Sequence, residues 1–364
     1  MNRISFLLVL VLPYMLFYSC SKEDKEPDPV IPDVNTDTFF IRGADISAFP
    51  KIEQSNPVFY NQNNEEQDFI TILKNSGVNT ARIRLWVNPD EIHSGFNEVN
   101  EFATNLASQG FRIWLTLHYS DTWADPGNQN TPADWQNLSS GALKDSVYHY
   151  TQRVVNIIDP DYIQIGNEIN GGILFPYGQI SSNPDQFFEI LKTGVRAVRD
   201  ASSKAKIIIH YAGLNNPSYF FGEISTLSYD FIGISYYPAW HGRSLENLKA
   251  QLESLYESSK KPIVIAETAY PFTLGWNDWT NNIIGLEEHL VPDYDASPAG
   301  QKKFMNKISE IMKDLNKGKG YCYWGAELIA FDGPTSSNGS PWENQALFDF
   351  DNKALPVLDA FSQD

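Results

Sequence analysis

Eight short runs of apolar and β-branched residues, separated by stretches with helical periodicity, limit this sequence to very few folds. The runs lie at 39–47, 80–87, 112–118, 161–167, 206–211, 231–236, 262–267 and 321–325. Between them, apolar residues recur at three- and four-residue spacing over 66–75, 99–108, 143–158, 186–201, 245–259 and 299–315, while the fifth crossover is short. Strands that are apolar along nearly their whole length must be covered on both faces, as a parallel sheet wrapped by its own crossover helices is. The predicted fold is therefore α/β, a (β/α)8 TIM barrel forming one domain over 38–364. A doubly wound sheet shows the same alternation, but no G-x-G-x-x-G phosphate loop follows the first run.

The first 37 residues read differently. Asn2-Arg3 followed by an apolar stretch over 6–16 is too short to span a membrane and reads, over 1–19, as an export signal. Phe17-Tyr18-Ser19-Cys20 resembles a bacterial lipobox, which makes Cys20 the lipidated first residue of the mature protein. Lys22-Glu23-Asp24 resembles the acidic surface-export tag of Bacteroidetes-type lipoproteins, and the Pro- and charge-rich stretch 20–37 reads as a flexible tether. The expectation is an exported monomer at the outer membrane, on the cell surface, touching the bilayer only through its acyl anchor. Cys322 is the only cysteine within the barrel, so no disulfide forms there and it is expected to be a small core residue. A net charge of −18 supplies no basic surface for phosphates, which argues against a nucleic-acid partner.

In such a barrel the active site lies where the strands end. Polar and aromatic residues gather there: Asp45, Arg84 and Trp86, His118 and Asp121, Asn167 and Glu168, His210, Tyr236 and Tyr237, Glu267, and Trp324. Glu168 and Glu267 close strands four and seven, and glutamate is rarely buried unless paired or functional. Two such carboxyls suit a retaining glycosidase, where one is protonated to donate to the leaving oxygen and the other is ionised to attack the anomeric carbon. Asn167, whose amide can bind the sugar 2-hydroxyl, marks Glu168 as acid/base; Glu267 is then the nucleophile, with Tyr236 the expected donor to its carboxylate. Arg84 is expected to pair with a carboxylate. His118 either touches sugar hydroxyls or donates to Asp121, and the residue type does not decide between these. Trp324 offers a sugar-stacking face, and Trp123, Trp240 and Trp276 fall in loops where outer subsites are built.

With these residues in place the chain resembles glycoside hydrolase family 53 over roughly 40–358. The motifs are Arg42-Gly-Ala-Asp45-Ile-Ser47, Ala81-Arg-Ile-Arg84-Leu-Trp86, Leu117-His118-Tyr-Ser-Asp121-Thr-Trp123, Gln164-Ile-Gly-Asn167-Glu168, Ile234-Ser-Tyr236-Tyr237-Pro-Ala-Trp240, Ile265-Ala-Glu267 and Asn344-Gln-Ala-Leu-Phe348. The resemblance implies retaining, endo-acting hydrolysis of β-1,4-galactan, the side chain of type I arabinogalactan in pectin, with no cofactor required for the chemistry. It also implies a structural Ca2+ clamping the loop after strand seven through Asp278 and Asn282, with Ser340 and Glu343. The chain departs from the family after strand eight, where Tyr323-Trp324-Gly-Ala-Glu327-Leu328 replaces the frequent Tyr-Trp-Glu-Pro-Ala-Trp, so an outer aromatic subsite is expected to be altered. Two other readings use the same residues: another clan A endo-glycanase, such as a mannanase or β-glucanase, and a non-catalytic glycan-binding lipoprotein on a decayed barrel.

Overall fold

The computed structural model describes residues 39–362; the expected export signal, Cys20 and the tether lie outside the described residues. Eight parallel strands close into a barrel: β1 (Ile41–Asp45), β2 (Thr80–Leu85), β3 (Arg112–Leu117), β4 (Tyr162–Ile165), β5 (Lys206–Ala212), β6 (Phe231–Ser235), β7 (Ile263–Thr268) and β8 (Gly318–Tyr323). Each pairs with its sequence neighbours, and β1 closes the ring on β8. The first seven are each followed by a crossover helix: α1 (Phe69–Asn75), α2 (Phe96–Ser108), α3 (Ser140–Ile158), α4 (Pro184–Ala201), α5 (Pro217–Glu223), α6 (Leu245–Ser259) and α7 (Pro298–Asp314). This is the expected (β/α)8 barrel.

Local chemistry sets where helices begin. Asp68, Ser139, Ser244 and Ser297 each accept a first-turn N–H, from Thr71, Ala142, Asn247 and Gly300. The Asp68 cap starts α1 three residues later than the apolar spacing alone predicts. The short α5 fills the fifth crossover, and a two-stranded hairpin, Gly172–Ile173 with Gly178–Gln179, follows β4 without a sequence signal, since two-residue strands carry no period.

Strand alternation divides the core in two. Ile83, Leu115, Ile165, Ile209, Ile234 and Ile265 face outward and join helix residues such as Leu106, Val147, Leu191 and Met312. The opposite set, Ile41, Trp114, Tyr162, Ile208, Phe231, Val264 and Cys322, forms an apolar plug inside the barrel, where Cys322 is buried as expected. Above the plug the same inward faces turn polar, with Arg82, Gln164, His210 and Ser235 all buried. One irregularity matters to the site: against both neighbours, β7 carries an extra residue between Ile265 and Thr268. That bulge turns Glu267, which strict alternation would point toward the helices, into the barrel mouth.

Candidate active site

The mouth opens into a cleft of about 580 Å3 lined by Asp45, Arg84, His118, Trp123, Asn167, Glu168, Tyr237, Trp240, Glu267, Trp324 and Trp342, among others. At its floor Arg82 reaches across from β2, with Nη1 2.7 Å from Asp45 Oδ2 and Nη2 2.8 Å from Glu267 Oε1. Nη2 also donates to Asn167 Oδ1 at 2.9 Å, and Nε donates to Gln164 Oε1 at 3.3 Å. The guanidinium therefore holds three strand ends in one plane, a use of its fixed fork that lysine cannot copy. Tyr237 donates to the other oxygen of Glu267 at 3.0 Å.

Glu168 is built differently. Gly166 turns the chain after β4 with φ +75°, where a Cβ would lie 2.5 Å from Ile169, and Glu168 itself has φ 49°. This turn presents Glu168 to the cleft, where its Oε1 accepts from Ser235 at 2.6 Å. Glu168, Glu267 and His210 each offer an atom within 4.8 Å of the others. Burial, then the charge of Glu267, raises the Glu168 pKa to about 8. Burial also raises Glu267, against the opposing charge of Arg82 and the hydrogen bond from Tyr237. The arrangement sets a carboxyl that keeps its proton near neutrality beside a carboxylate held by a cation and a phenol.

Several expected contacts are corrected. Tyr236, expected to hold Glu267, is fully buried and donates to Gly242 O at 2.7 Å; Ser235 and Tyr237 share the inward parity that Tyr236 lacks. Arg84, expected to pair with a carboxylate, lies one inward position above Arg82, where Nε donates to Ser94 and the guanidinium stacks 4.1 Å from the Trp123 ring. His118 does not donate to Asp121: its Nδ1 accepts from Ala124 N at 3.1 Å, and burial followed by Arg84 holds its pKa well below the usual histidine value. Asp121 instead ties loop backbone at Asn88 and Ala133, away from the cleft. Trp86 donates toward His118 and borders an adjoining hollow rather than the cleft itself. Trp276 is exposed outside the cleft.

Arg82, Gln164, Ser235 and Trp342 were not singled out from sequence. Arg82 has the same parity as Arg84, and its depth was readable only once the position of the carboxylates was known. Trp342 precedes the Asn344 motif and completes a chain of indoles: Trp123 to Trp324 at 6.2 Å, Trp324 to Trp342 at 4.7 Å and Trp342 to Trp240 at 6.0 Å between centroids. Asp278 Oδ2 and Asn282 Oδ1 in the loop after β7, and Glu343 Oε2 in the segment after β8, are buried without a protein partner, and Gly339 leaves room for Asp278 Oδ2, where a Cβ would approach to 2.3 Å. Buried oxygens without a donor, two of them acidic, are the kind of ligand a hard cation takes. Ser340 Oγ donates its hydrogen to Leu328 O and accepts from Trp342 N, which leaves one lone pair on the hydroxyl oxygen.

The model of glycosyl hydrolase family 53 matches residues 41–361. An arabinogalactan endo-β-1,4-galactanase of Cellvibrio japonicus is 32% identical, with 91% of this chain and 93% of that protein covered. An endo-β-1,4-galactanase of Bacillus subtilis is 31% identical over 88% of this chain and 85% of its own length. Among solved structures, the Ignisphaera aggregans GH53 catalytic domain superposes with a TM-score of 0.82 at 37% identity, covering 92% of this chain and 98% of that one. A barrel with these residues at its mouth and this similarity along its length is a glycoside hydrolase, and the chain belongs to glycosyl hydrolase family 53.

Proposed function

We propose that the protein is an endo-acting, retaining β-1,4-galactanase in which Glu168 is the acid/base and Glu267 the nucleophile. The observation that carries the mechanism is the spacing of the two carboxyls. Their nearest oxygens lie within 4.8 Å, which suits the roughly 5–5.5 Å of retaining enzymes rather than the roughly 6.5–9.5 Å that leaves room for a water in inverting ones. Charge supports the same division: Glu168 keeps a proton to give, and Glu267 lies against Arg82 and Tyr237. Asn167, held between Arg82 and Gln164, sits beside both glutamates where a sugar 2-hydroxyl would lie.

The choice of galactan draws on the named relatives and on the cleft's shape. Neighbouring indoles in the chain from Trp123 to Trp240 are inclined by 56°, 67° and 61°. Such a floor bends, as a chain linked through the axial 4-hydroxyl of galactose bends. Calcium is proposed as the ion held by Asp278, Asn282 and Glu343, a clamp on the β7 loop with no part in the bond cleavage. The lipobox-like residues around Cys20 support anchoring at the outer membrane, exposed at the cell surface.

The deciding experiment digests linear galactan with anchor-free protein and follows products by chromatography and anomeric NMR. Mixed oligomers appear early and the new reducing ends are β at first. Initial α ends sink the retaining mechanism, and release from mannan or carboxymethylcellulose with none from galactan sinks the substrate. Glu267→Ala should bind galactan yet lose turnover by orders of magnitude, at about 1.4 kcal/mol of barrier per tenfold.

A further inference from the structure

We propose that Ser235, aimed by the neutral Nε2–H form of His210, fixes which oxygen of Glu168 carries the transferable proton; the inference rests on Glu168 being the acid/base. Ser235 has a single hydroxyl hydrogen and gives it to Glu168 Oε1 at 2.6 Å. Its oxygen also lies 2.8 Å from His210 Nε2, so that nitrogen must supply the hydrogen of the contact. On the other side of the ring Glu168 N donates to Nδ1 at 3.4 Å, while Gln164 Nε2, 3.0 Å away, has its two hydrogens on Gly166 O and Asn167 Oδ1. Asn167 Oδ1, also 3.0 Å from Nδ1, already takes hydrogens from Arg82 and Gln164. His210 and Ser235 are fully buried, and burial followed by the charge of Arg82 keeps the imidazole neutral, with one hydrogen to place.

With Oε1 engaged in both protonation states, the acidic hydrogen belongs on Oε2. That oxygen has no hydrogen-bond partner among the described residues, and Glu168 lines the cleft. During glycosylation the Oε2 hydrogen passes to the glycosidic oxygen as its bond to the anomeric carbon breaks and the bond to Glu267 forms. During deglycosylation Oε2 takes a proton from the water whose oxygen bonds to the anomeric carbon as the bond to Glu267 breaks, which restores the acid and frees the Glu267 carboxylate. The groups facing Glu168 are Glu267 from β7, Arg82 from β2, His210 from β5, Tyr237 beyond β6 and Asp125 from the loop after β3. Among the described residues, Ser235 alone donates to the Glu168 side chain. Because a hydroxyl donates more strongly to a carboxylate than to a neutral acid, Ser235 also pulls the glutamate's pKa down against burial and Glu267.

The test compares wild type, Ser235→Ala and Ser235→Thr on galactan and on an aryl galactobioside with a dinitrophenolate leaving group, which departs without protonation. Ser235→Ala should lose about 10–100-fold in kcat/KM on galactan, move the alkaline limb of the pH profile upward, and lose far less on the aryl substrate. Ser235→Thr should restore the galactan rate and the limb. Nitrogen NMR of the wild-type imidazole should find the hydrogen on Nε2. Equal losses on both substrates with the limb unmoved, or a hydrogen on Nδ1, would overturn the proposal. Glu168→Ala separates the two readings: azide recovers its turnover of the aryl substrate if Glu168 is the acid/base. Failure of that rescue overturns the acid/base role itself, and this inference with it.

Discussion

Glu327 is a buried acid that the proposed chemistry leaves unused, and its replacement by glutamine should reveal a large pH-dependent term in stability. The residue follows β8 with 2% of its surface exposed. Oε1 accepts from Ala48 N at 2.8 Å, while Oε2 is buried with no partner. Burial first, then the charge of Asp45, raises its pKa from 4.5 to about 8. The folded protein therefore keeps a proton that the unfolded chain has lost between these two values, and stability falls as pH rises through that window. The slope is about 1.4 kcal/mol per pH unit, so the penalty at pH 9 is on the order of 4–5 kcal/mol, while below pH 4.5 it is absent. Glutamine keeps the Oε1 acceptor and does not titrate. Wild type and Glu327→Gln should melt close together near pH 4.5, separate steadily to about pH 8 and keep that gap at pH 9, with the variant the more stable. At roughly 2–4 °C per kcal/mol for chains of 150–250 residues, and somewhat less for a longer one, the gap should reach roughly 5–15 °C. Glu168, also raised to about 8, titrates in both proteins and cancels from the comparison. Scanning calorimetry across pH is the assay. Melting curves that stay parallel would mean that Glu327 is already ionised in the fold at neutral pH, and the burial argument would fail.

Tyr237→Phe removes a 3.0 Å hydrogen bond to the Glu267 carboxylate. It should lower kcat/KM by about tenfold or more and move the acidic limb upward, because a donor to the charged form has been lost; an unmoved limb would count against the contact. Arg82→Met strips the cation from Asp45 and Glu267 at once. Denaturant unfolding at neutral pH should register a loss of about 3–5 kcal/mol. Calcium should raise the wild-type Tm by mass action, about 2.7 kcal/mol at a hundredfold excess over Kd, and a chelator should reverse it. Glu343→Gln should blunt that response, and an unchanged response would remove Glu343 from the ligand set.

The barrel and the position of its two glutamates at the mouth were legible in the sequence because both rest on short-range signals: apolar runs of strand length, and carboxyls at strand ends. What was not legible turned on depth and parity at the strand ends. Arg82 and Arg84 face the same way, two residues and about 6.6 Å apart along the strand, and only the level of Asp45 and Glu267 selects the lower one. Tyr236 and Tyr237 differ by one residue, so a strand that ends at Ser235 sends one ring outward to Gly242 and the other onto the carboxylate. Counting alternation cannot recover this, because β7 holds one residue more than its neighbours there. Straighten that bulge and Glu267 turns away from Arg82. The feature that makes the carboxylate available is thus one for which the strand's own residues, Ile265-Ala266-Glu267, give no local sign. The bulge is held by what surrounds it, with Arg82 from one side and Tyr237 from the other drawing Glu267 into the mouth.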